Sequence, residues 1–492
     1  MSESPVPTIA IVGGGASGTL VAIELLRATV PLRLIVLEPR PVLGRGLAYS
    51  TRCPAHLMNV PAGSLSLMEG DPGDFARWLR VNRSPQADTT TFAPRAVFGH
   101  YLHQRLTGRV QRAEGLVTLK HLRVEAVNLT RLGGRDEFGA GWQVDLSDGS
   151  ALAAQAVVLA TGNNPPSEAG LPDDLWRSPH YFPSAWSPGA LDELDLGAPV
   201  LLVGSGLTAV DAALALDAAG HRENIHVISR RGLFSRVHSA SSARGMLDAW
   251  RPQPSSSLRQ LLAQVRERAR LNQGGSSGAY DTGWRRVIDA LRENTPSLWR
   301  GLSNAEQRRF LRHLRPFWEV HRHRMAPEVG ERIGSFLRDG RVQILAARIQ
   351  RVASRPTDAV VEIRMRRTGV IARLKIARVI NCTGAETDYR RLKVPVWVNL
   401  LASGIVDSGP LNMGLRTSDD GELVSAHGQV WPDLFTLGPP RIGQLWETTA
   451  IPEIRAQARS VASLMLDRLP RSPSLENTSR LSAYATPLTA VD

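Results

Sequence analysis

The chain has 492 residues, enough for two or three domains with sizeable cores. Its 42% hydrophobic and 21% charged content is that of a globular protein, which excludes a disordered or fibrous chain. The formal charge of +13 is high, but the basic residues are scattered and not gathered into a patch with interleaved aromatics, which argues against a nucleic-acid partner. Of the 59 basic residues only Lys120, Lys375 and Lys393 are lysines, so arginine-rich composition and anion sites account for the charge. Cys53 and Cys382 are the two cysteines, with no CxxC and no zinc spacing. That pattern suits a reducing cytoplasm and predicts no metal site. No apolar run reaches membrane-spanning length, and the first apolar run leads straight into a glycine turn, so no membrane partner and no signal peptide are expected.

In chain order, the short apolar strand Ile9–Val12 runs into Gly13-Gly14-Gly15-Ala16-Ser17-Gly18, and a helix is expected over Thr19–Arg27. Gly13 permits a tight turn, Gly15 lets backbone approach a pyrophosphate, and Gly18 lets helix and strand pack closely. The helix N-terminus then offers N–H groups to phosphates, with Ala16 and Ser17 in its first turn. The next strand, Leu32–Leu37, ends at Glu38, twenty residues past Gly18. Glu38 can accept from both ribose hydroxyls and would repel a 2′-phosphate, so this site is expected to take FAD or NAD. Further strands are expected at Arg123–Leu129, Trp142–Leu146 and Ala151–Val158, with a sharp turn at Thr161-Gly162.

A second turn follows, Gly204-Ser205-Gly206-Leu207-Thr208-Ala209, then a helix over Val210–Ala219 and a strand Ile225–Ile228. At the position equivalent to Glu38 stand Ser229, Arg230 and Arg231. Guanidiniums bind phosphate through paired charge-assisted hydrogen bonds, which points to NADPH here. The pattern then repeats: strands at Val342–Leu345, Val360–Ile363 and Arg373–Ile380, closing on Thr383-Gly384. A helical insert is expected at about 240–338, with loops at Ser239–Ala243, Pro252–Ser257 and Gly274–Gly278. Leu258, Leu261, Leu262, Val265 and Ala269 lie on one helical face, and Phe310, Leu311 and Leu314 form a second buried stripe. His313, His321 and His323 lie among Arg312, Arg315, Arg322 and Arg324. They read either as an anion pocket or, preferably, as a solvated arginine face with packed histidines. A last strand, Asp433–Leu437, ends at Gly438, and a helix is expected from about Thr448 to Leu469.

The fold class is therefore α/β with two Rossmann-like dinucleotide-binding units. Residues 1–165 and 386–470 form a split FAD domain around an inserted NADPH domain, 196–385, and 471–492 form a disordered tail.

The paired turns, Ala160-Thr161-Gly162 and the returning C-terminal strand resemble class B flavoprotein monooxygenases, which include flavin-containing monooxygenases and N-hydroxylases. His56-Leu57-Met58-Asn59-Val60-Pro61, leading to Met68-Glu69-Gly70-Asp71, resembles the stretch that carries an asparagine beside the flavin ring. Gly44-Arg45-Gly46-Leu47-Ala48-Tyr49-Ser50, Arg315-Pro316-Phe317-Trp318, His321–Arg324 and Leu445–Ala450 resemble a bacterial group of FAD/NAD(P)-binding proteins. The Baeyer–Villiger fingerprint is altered, with only Pro179–Trp186 near it, and Gly438-Pro439 replaces the usual Gly-Asp of the closing strand. The resemblance implies FAD, NADPH, O2 and a small nucleophilic substrate oxygenated at N or S through a flavin C4a-hydroperoxide. It places Asn59 at the ring and implies flavin contacts from Pro39, Arg40, Leu47, Ala48, Met58, Val60, Thr448 and Thr449. Trp318 and Trp446 are candidates for flavin or substrate stacking. Two other readings stay open: a thiol or peroxide reductase or NADPH oxidase using Cys53, and an FAD-binding sensor without turnover.

Overall fold

The computed structural model describes residues 6–469 apart from 69, 114, 134–140, 192–194, 240–249, 254, 256 and 272–282. The expected tail 471–492, Glu69, nearly all of the 239–243 loop and the 274–278 loop lie outside the described residues. Among the described residues no helix is long and apolar enough to cross a membrane.

In chain order, β1 (Thr8–Val12), β2 (Leu32–Leu37) and β3 (Val117–Leu122) precede a meander of β4 (Ala126–Arg131), β5 (Trp142–Leu146) and β6 (Ala151–Ala154), after which comes β7 (Ala156–Leu159). The second unit holds β8 (Tyr181–Phe182), β9 (Val200–Val203), β10 (Ile225–Ser229), β11 (Val342–Ser354), β12 (Ala359–Met365), β13 (Ile371–Ile376) and β14 (Arg378–Asn381). Near the end lie β15 (Glu422–Val424) and β16 (Val430–Thr436). One sheet has the order β15-β16-β7-β1-β2-β3, a second β13-β12-β11-β10-β9-β14-β8, and the meander stands alone as β4-β5-β6. The fold is α/β with two Rossmann-like units, each built on parallel strands. β1, β7 and β9 are buried along their whole length, as strands covered on both faces must be.

Both units show the same break in a strand expected to be continuous. The expected Ala151–Val158 divides at Gln155, whose backbone N–H donates to Thr8 O and whose Oε1 accepts from Thr8 N at 2.6 Å. The expected Arg373–Ile380 divides at Ala377, whose N–H donates to Pro199 O. In each case the chain leaves an antiparallel meander and enters the parallel sheet beside a new partner, and apolarity alone does not record the change. β3 was not anticipated. It is the sheet edge, one face is partly solvated, and Thr118 and Lys120 interrupt its apolar pattern. The two Rossmann helices start earlier than expected, at Ala16 and Leu207, because Gly15 and Gly206 are the N-caps. The closing helix runs Ile451–Arg468 with proline in its first turn and packs against Ala16–Leu25.

Asp433 ties the meander to the sheet. It is fully buried, accepts from Trp142 Nε1 at 2.9 Å and pairs with Arg131 at 2.5 Å, while the Arg131 guanidinium lies 5.0 Å from the Trp142 ring centre. Asp433→Ala removes a buried counter-charge and an indole acceptor together. The expected loss is about 3–5 kcal/mol in urea unfolding.

Candidate functional site: two nucleotide turns and the segment between them

The first turn is closed by backbone. Gly13 has φ +102°, and a methyl built on it would stand 2.5 Å from the Ala160 carbonyl oxygen. Turn and strand end therefore touch with no side chain between them. Glu38, 5% exposed, lies under the turn: Oε2 accepts from Gly14 N at 3.0 Å, and Oε1 accepts from Arg40 N and Nη1 at 3.1 and 3.3 Å. No side chain caps the helix at Gly15, so its first N–H groups remain available to an anion. A methyl on Gly15 would come 3.4 Å from Gly46 Cα, and Gly44 N donates to Gly14 O, so the Gly44–Ser50 segment lies over the turn. Of that segment and its neighbours, Pro39, Arg40, Leu47 and Ala48 are exposed. Thr161 Oγ1 is buried without a hydrogen-bond partner, and the space beside Gly162 is open. A buried orphan hydroxyl beside an open helix N-terminus and an acid fits a nucleotide with ribose and phosphate groups.

The second turn repeats this geometry. Gly204 has φ +111°, and its methyl would stand 2.5 Å from Cys382 O. The helix at Gly206 is likewise uncapped. Here Thr383 differs from Thr161: its hydroxyl donates to Ser167 O at 2.8 Å, and its backbone N–H donates to Asn381 Oδ1 at 3.0 Å. Gly384 O accepts from Ser167 N, so this strand end also serves the crossing between the two units. Ser229 Oγ accepts from Gly232 N at 3.0 Å. Arg231 donates to Arg312 O and lies 5.2 Å from the Phe317 ring centre. Burial lowers the pKa of Arg230, and Arg315, Arg348 and Arg231 lower it further. Arg230 and Arg231 thus stand at the strand end where the first site has a carboxylate, and the positive charge of Arg315 and Arg348 acts on Arg230. Arg348 was missed: it lies on β11, which pairs Ala346 with Ser229, and no fixed sequence spacing announces that neighbour.

Between the turns runs the 56–60 segment. His56 Nε2 donates to Asp211 O at 2.9 Å on the helix Leu207–Ala218, and its Nδ1 accepts from Thr51 Oγ1 at 2.7 Å. Arg95 pairs with Asp211 at 2.7 Å and donates to Leu57 O. These contacts lock the segment of the first unit to the second. Met58 is buried, while Asn59 and Val60 are half-buried. The Asn59 carbonyl accepts from His238 Nε2 at 2.9 Å. Burial, with Arg324 next, pushes His238 down to about 4, so the ring is neutral at pH 7 and Nε2 keeps its proton.

The closing segment folds back on the first turn. Gly438 packs on Ser17, where an added methyl would stand 3.2 Å from Ser17 Oγ. Thr448 is fully buried. Its hydroxyl donates to Gly438 O at 2.9 Å and accepts from Gln457 Nε2 at 2.9 Å, whereas Thr449 is exposed. The preferred solvated reading of the 312–324 arginines is corrected in part. Arg322 and Arg324 are buried and paired with Glu447, at 3.1 Å, and Asp289. Glu447 belongs to a distant segment, so its pairing with Arg322 leaves no local sequence signal. The apolar stripes of the insert face inward as expected: Leu258, Leu261, Leu262, Val265, Ala269, Phe310 and Leu314 line a cavity, and Phe310 and Leu311 pack on the cluster of Trp299, Met413 and Trp446.

This geometry defines a chain with two nucleotide-binding units of Rossmann type. Residues 10–164 match the model of a family described as FAD-NAD(P)-binding. No curated protein sequence matches the chain. Among solved structures, the ornithine N-hydroxylase of Kutzneria sp. 744, held with reduced FAD, NADP+ and L-ornithine, is similar over 94% of this chain and 100% of its own, at 15% identity and a TM-score of 0.62. The L-lysine 6-monooxygenase from Pseudomonas syringae is similar over 95% and 100%, at 15% identity and a TM-score of 0.64. A bacillithiol disulfide reductase from Staphylococcus aureus is similar over 94% and 99%, at 13% identity and a TM-score of 0.53. At these identities the likenesses establish the fold. Hydroxylases and a disulfide reductase share it, so the reaction is decided by the site.

The unfolded chain binds the His238 proton more readily than the folded protein does. The stability that follows is present above pH 6.5 and is lost as the pH falls from 6.5 towards 4. His238→Gln keeps an amide donor at the reach of Nε2 for Asn59 O and removes the titration. Chemical unfolding of the variant is expected to show a shallower fall in stability over that interval than the parent chain.

Proposed function

We propose that the chain is a flavin-dependent monooxygenase that binds FAD at the first turn and NADPH at the second, and transfers oxygen from O2 to a nucleophilic nitrogen or sulfur of a small molecule. The observation that carries this reading is the opposite charge at two otherwise equivalent strand ends: Glu38 under one turn, and Arg230 with Arg231 after β10 at the other. FAD supplies the hydride acceptor and the centre that activates O2. Every other contribution comes from the chain. Glu38 accepts ribose hydroxyls, the helix N-termini at Gly15 and Gly206 face phosphates, and Thr161 gives its orphan hydroxyl to the first ligand. The arginine group holds the 2′-phosphate of NADPH. Asn59, its backbone fixed by His238, presents its amide to the ring system and to the reacting oxygen. Thr448 pins Gly438 against Ser17 and keeps the closing segment over the turn. In this reading residues 1–165 and 386–470 serve FAD and 196–385 serve NADPH, in a cytoplasmic enzyme.

A disulfide or peroxide reductase is the second reading, favoured by the fold shared with a disulfide reductase. Both cysteines are free, and Cys382 is buried in surroundings that push its thiol pKa well up, so a reactive dithiol is not in place. Only Cys53 remains for such chemistry. Cys53→Ser is expected to retain full NADPH-dependent turnover, and loss of that turnover would establish the thiol reading instead.

Arg230→Ala and Arg348→Ala are each expected to weaken NADPH binding by about 1.5–3 kcal/mol while changing NADH binding far less. Equal losses for the two nucleotides would remove the 2′-phosphate assignment. The reaction itself is tested by NADPH consumption against a panel of amines and sulfides with hydrogen peroxide measured alongside. Oxygenated product in step with NADPH supports the monooxygenase. Peroxide as the sole product with every compound overturns it in favour of an oxidase or a sensor.

A further inference from the structure

The helical insert lines a half-open cavity of about 450 Å³, within the size range of small-molecule sites. Its walls come from the helices Leu258–Leu271 and Gly283–Leu291, from the aromatic residues Trp299, Phe310 and Trp318, and from Trp446 of the closing segment. No aspartate or glutamate lines it among the described residues, and Arg266, an exposed residue, is its one arginine. An ammonium group inside would have no counter-charge, a large cost in apolar surroundings. The lining polar groups are mostly satisfied: Thr295 Oγ1 donates to Leu291 O at 2.8 Å, and Trp299 Nε1 donates to Gly443 O at 2.8 Å. Trp318 Nε1 is the exception, buried with no hydrogen-bond partner.

The cavity adjoins the closing segment through Trp446. Its ring packs 5.0 Å from Trp299 and 5.1 Å from Phe310, and its backbone sits at φ 60°. Leu411, at φ 59°, belongs to the same aromatic cluster. Strained non-glycine residues of this kind persist where the surroundings hold them, often at functional sites. Two residues beyond Trp446, Thr448 holds the Gly438 carbonyl beside Ser17 of the first turn. Trp446 is thus at once a wall of the cavity and part of the segment that closes on the proposed flavin site.

We propose that this cavity binds the organic substrate, and that the substrate is an apolar molecule in place of a basic amino acid. The inference rests on the monooxygenase reading for the word substrate. The binding site itself stands on the cavity alone.

The test uses the full-length, FAD-loaded protein. Intrinsic tryptophan fluorescence follows titration with methyl n-alkyl sulfides from butyl to decyl, with L-ornithine as the contrast. Dissociation constants are expected to fall roughly threefold to fourfold per added methylene until the cavity is full, as apolar burial requires, and ornithine is expected not to bind. Leu262→Trp, which narrows the cavity, is expected to end the chain-length dependence at a shorter sulfide than in the parent chain, with FAD content and melting temperature reporting that the variant is folded. Dissociation constants that ignore chain length, or saturation by ornithine, overturn the proposal. The outcomes separate from the monooxygenase reading. Chain-length-dependent binding without oxygenated product leaves the apolar site standing and removes the oxygenase. Oxygenation of a polar amine with no chain-length dependence does the reverse.

Discussion

There is no room for a side chain between each nucleotide turn and the strand end packed on it. A methyl on Gly13 or Gly204 would lie 2.5 Å from the carbonyl oxygen of Ala160 or Cys382. Each contact brings three things together: a turn that approaches backbone to backbone, a strand ending in Thr-Gly, and an uncapped helix N-terminus. The helix dipole and free N–H groups then face the same space as the residue at the end of the next strand. Repeating that arrangement gives one chain two turns of the same geometry, with residues of opposite charge at the strand ends beside them.

The units are not independent. His56 and Arg95, both from the first, bond Asp211 on the helix of the second, so the segment carrying Met58, Asn59 and Val60 is held by both. The helical insert is anchored to the closing segment by buried charge: Arg322 pairs with Glu447, and Arg292 grips Glu453 through contacts of 2.5 and 2.7 Å. Buried pairs of this kind add little net stability over an apolar packing, but removing one partner is costly, so they set where the insert sits. The insert in turn presents its apolar faces to a cavity whose last wall is Trp446.

Much of this could be read along the chain. The glycine spacing, Glu38 and Arg230 are local signals, because a turn, the helix after it and the end of the next strand are joined by short connections. The apolar stripe from Leu258 to Ala269 was also visible as a periodicity, but periodicity cannot distinguish a helix face against solid core from one against a cavity. β3 escaped because an edge strand half in solvent loses the apolar run that marks its neighbours. Gln155 and Ala377 divide runs that read as continuous in sequence, although the partner strand changes there and the burial with it: β6 and β13 are largely exposed, β7 and β14 largely buried.

The sequence by itself determined the two nucleotide turns and the opposite charge of their strand-end residues, because those depend on contacts between residues close in the chain. Tertiary structure decided the rest. The charge of Arg348, on the strand paired with β10, and of Arg315, in the insert, acts on Arg230, His238 reaches Asn59 across 179 positions, and Thr161 keeps an unpartnered hydroxyl where Thr383 does not. The physical reason is that burial, pairing and the shape of a cavity belong to surfaces brought together from distant segments, and no single segment carries the record of its partner.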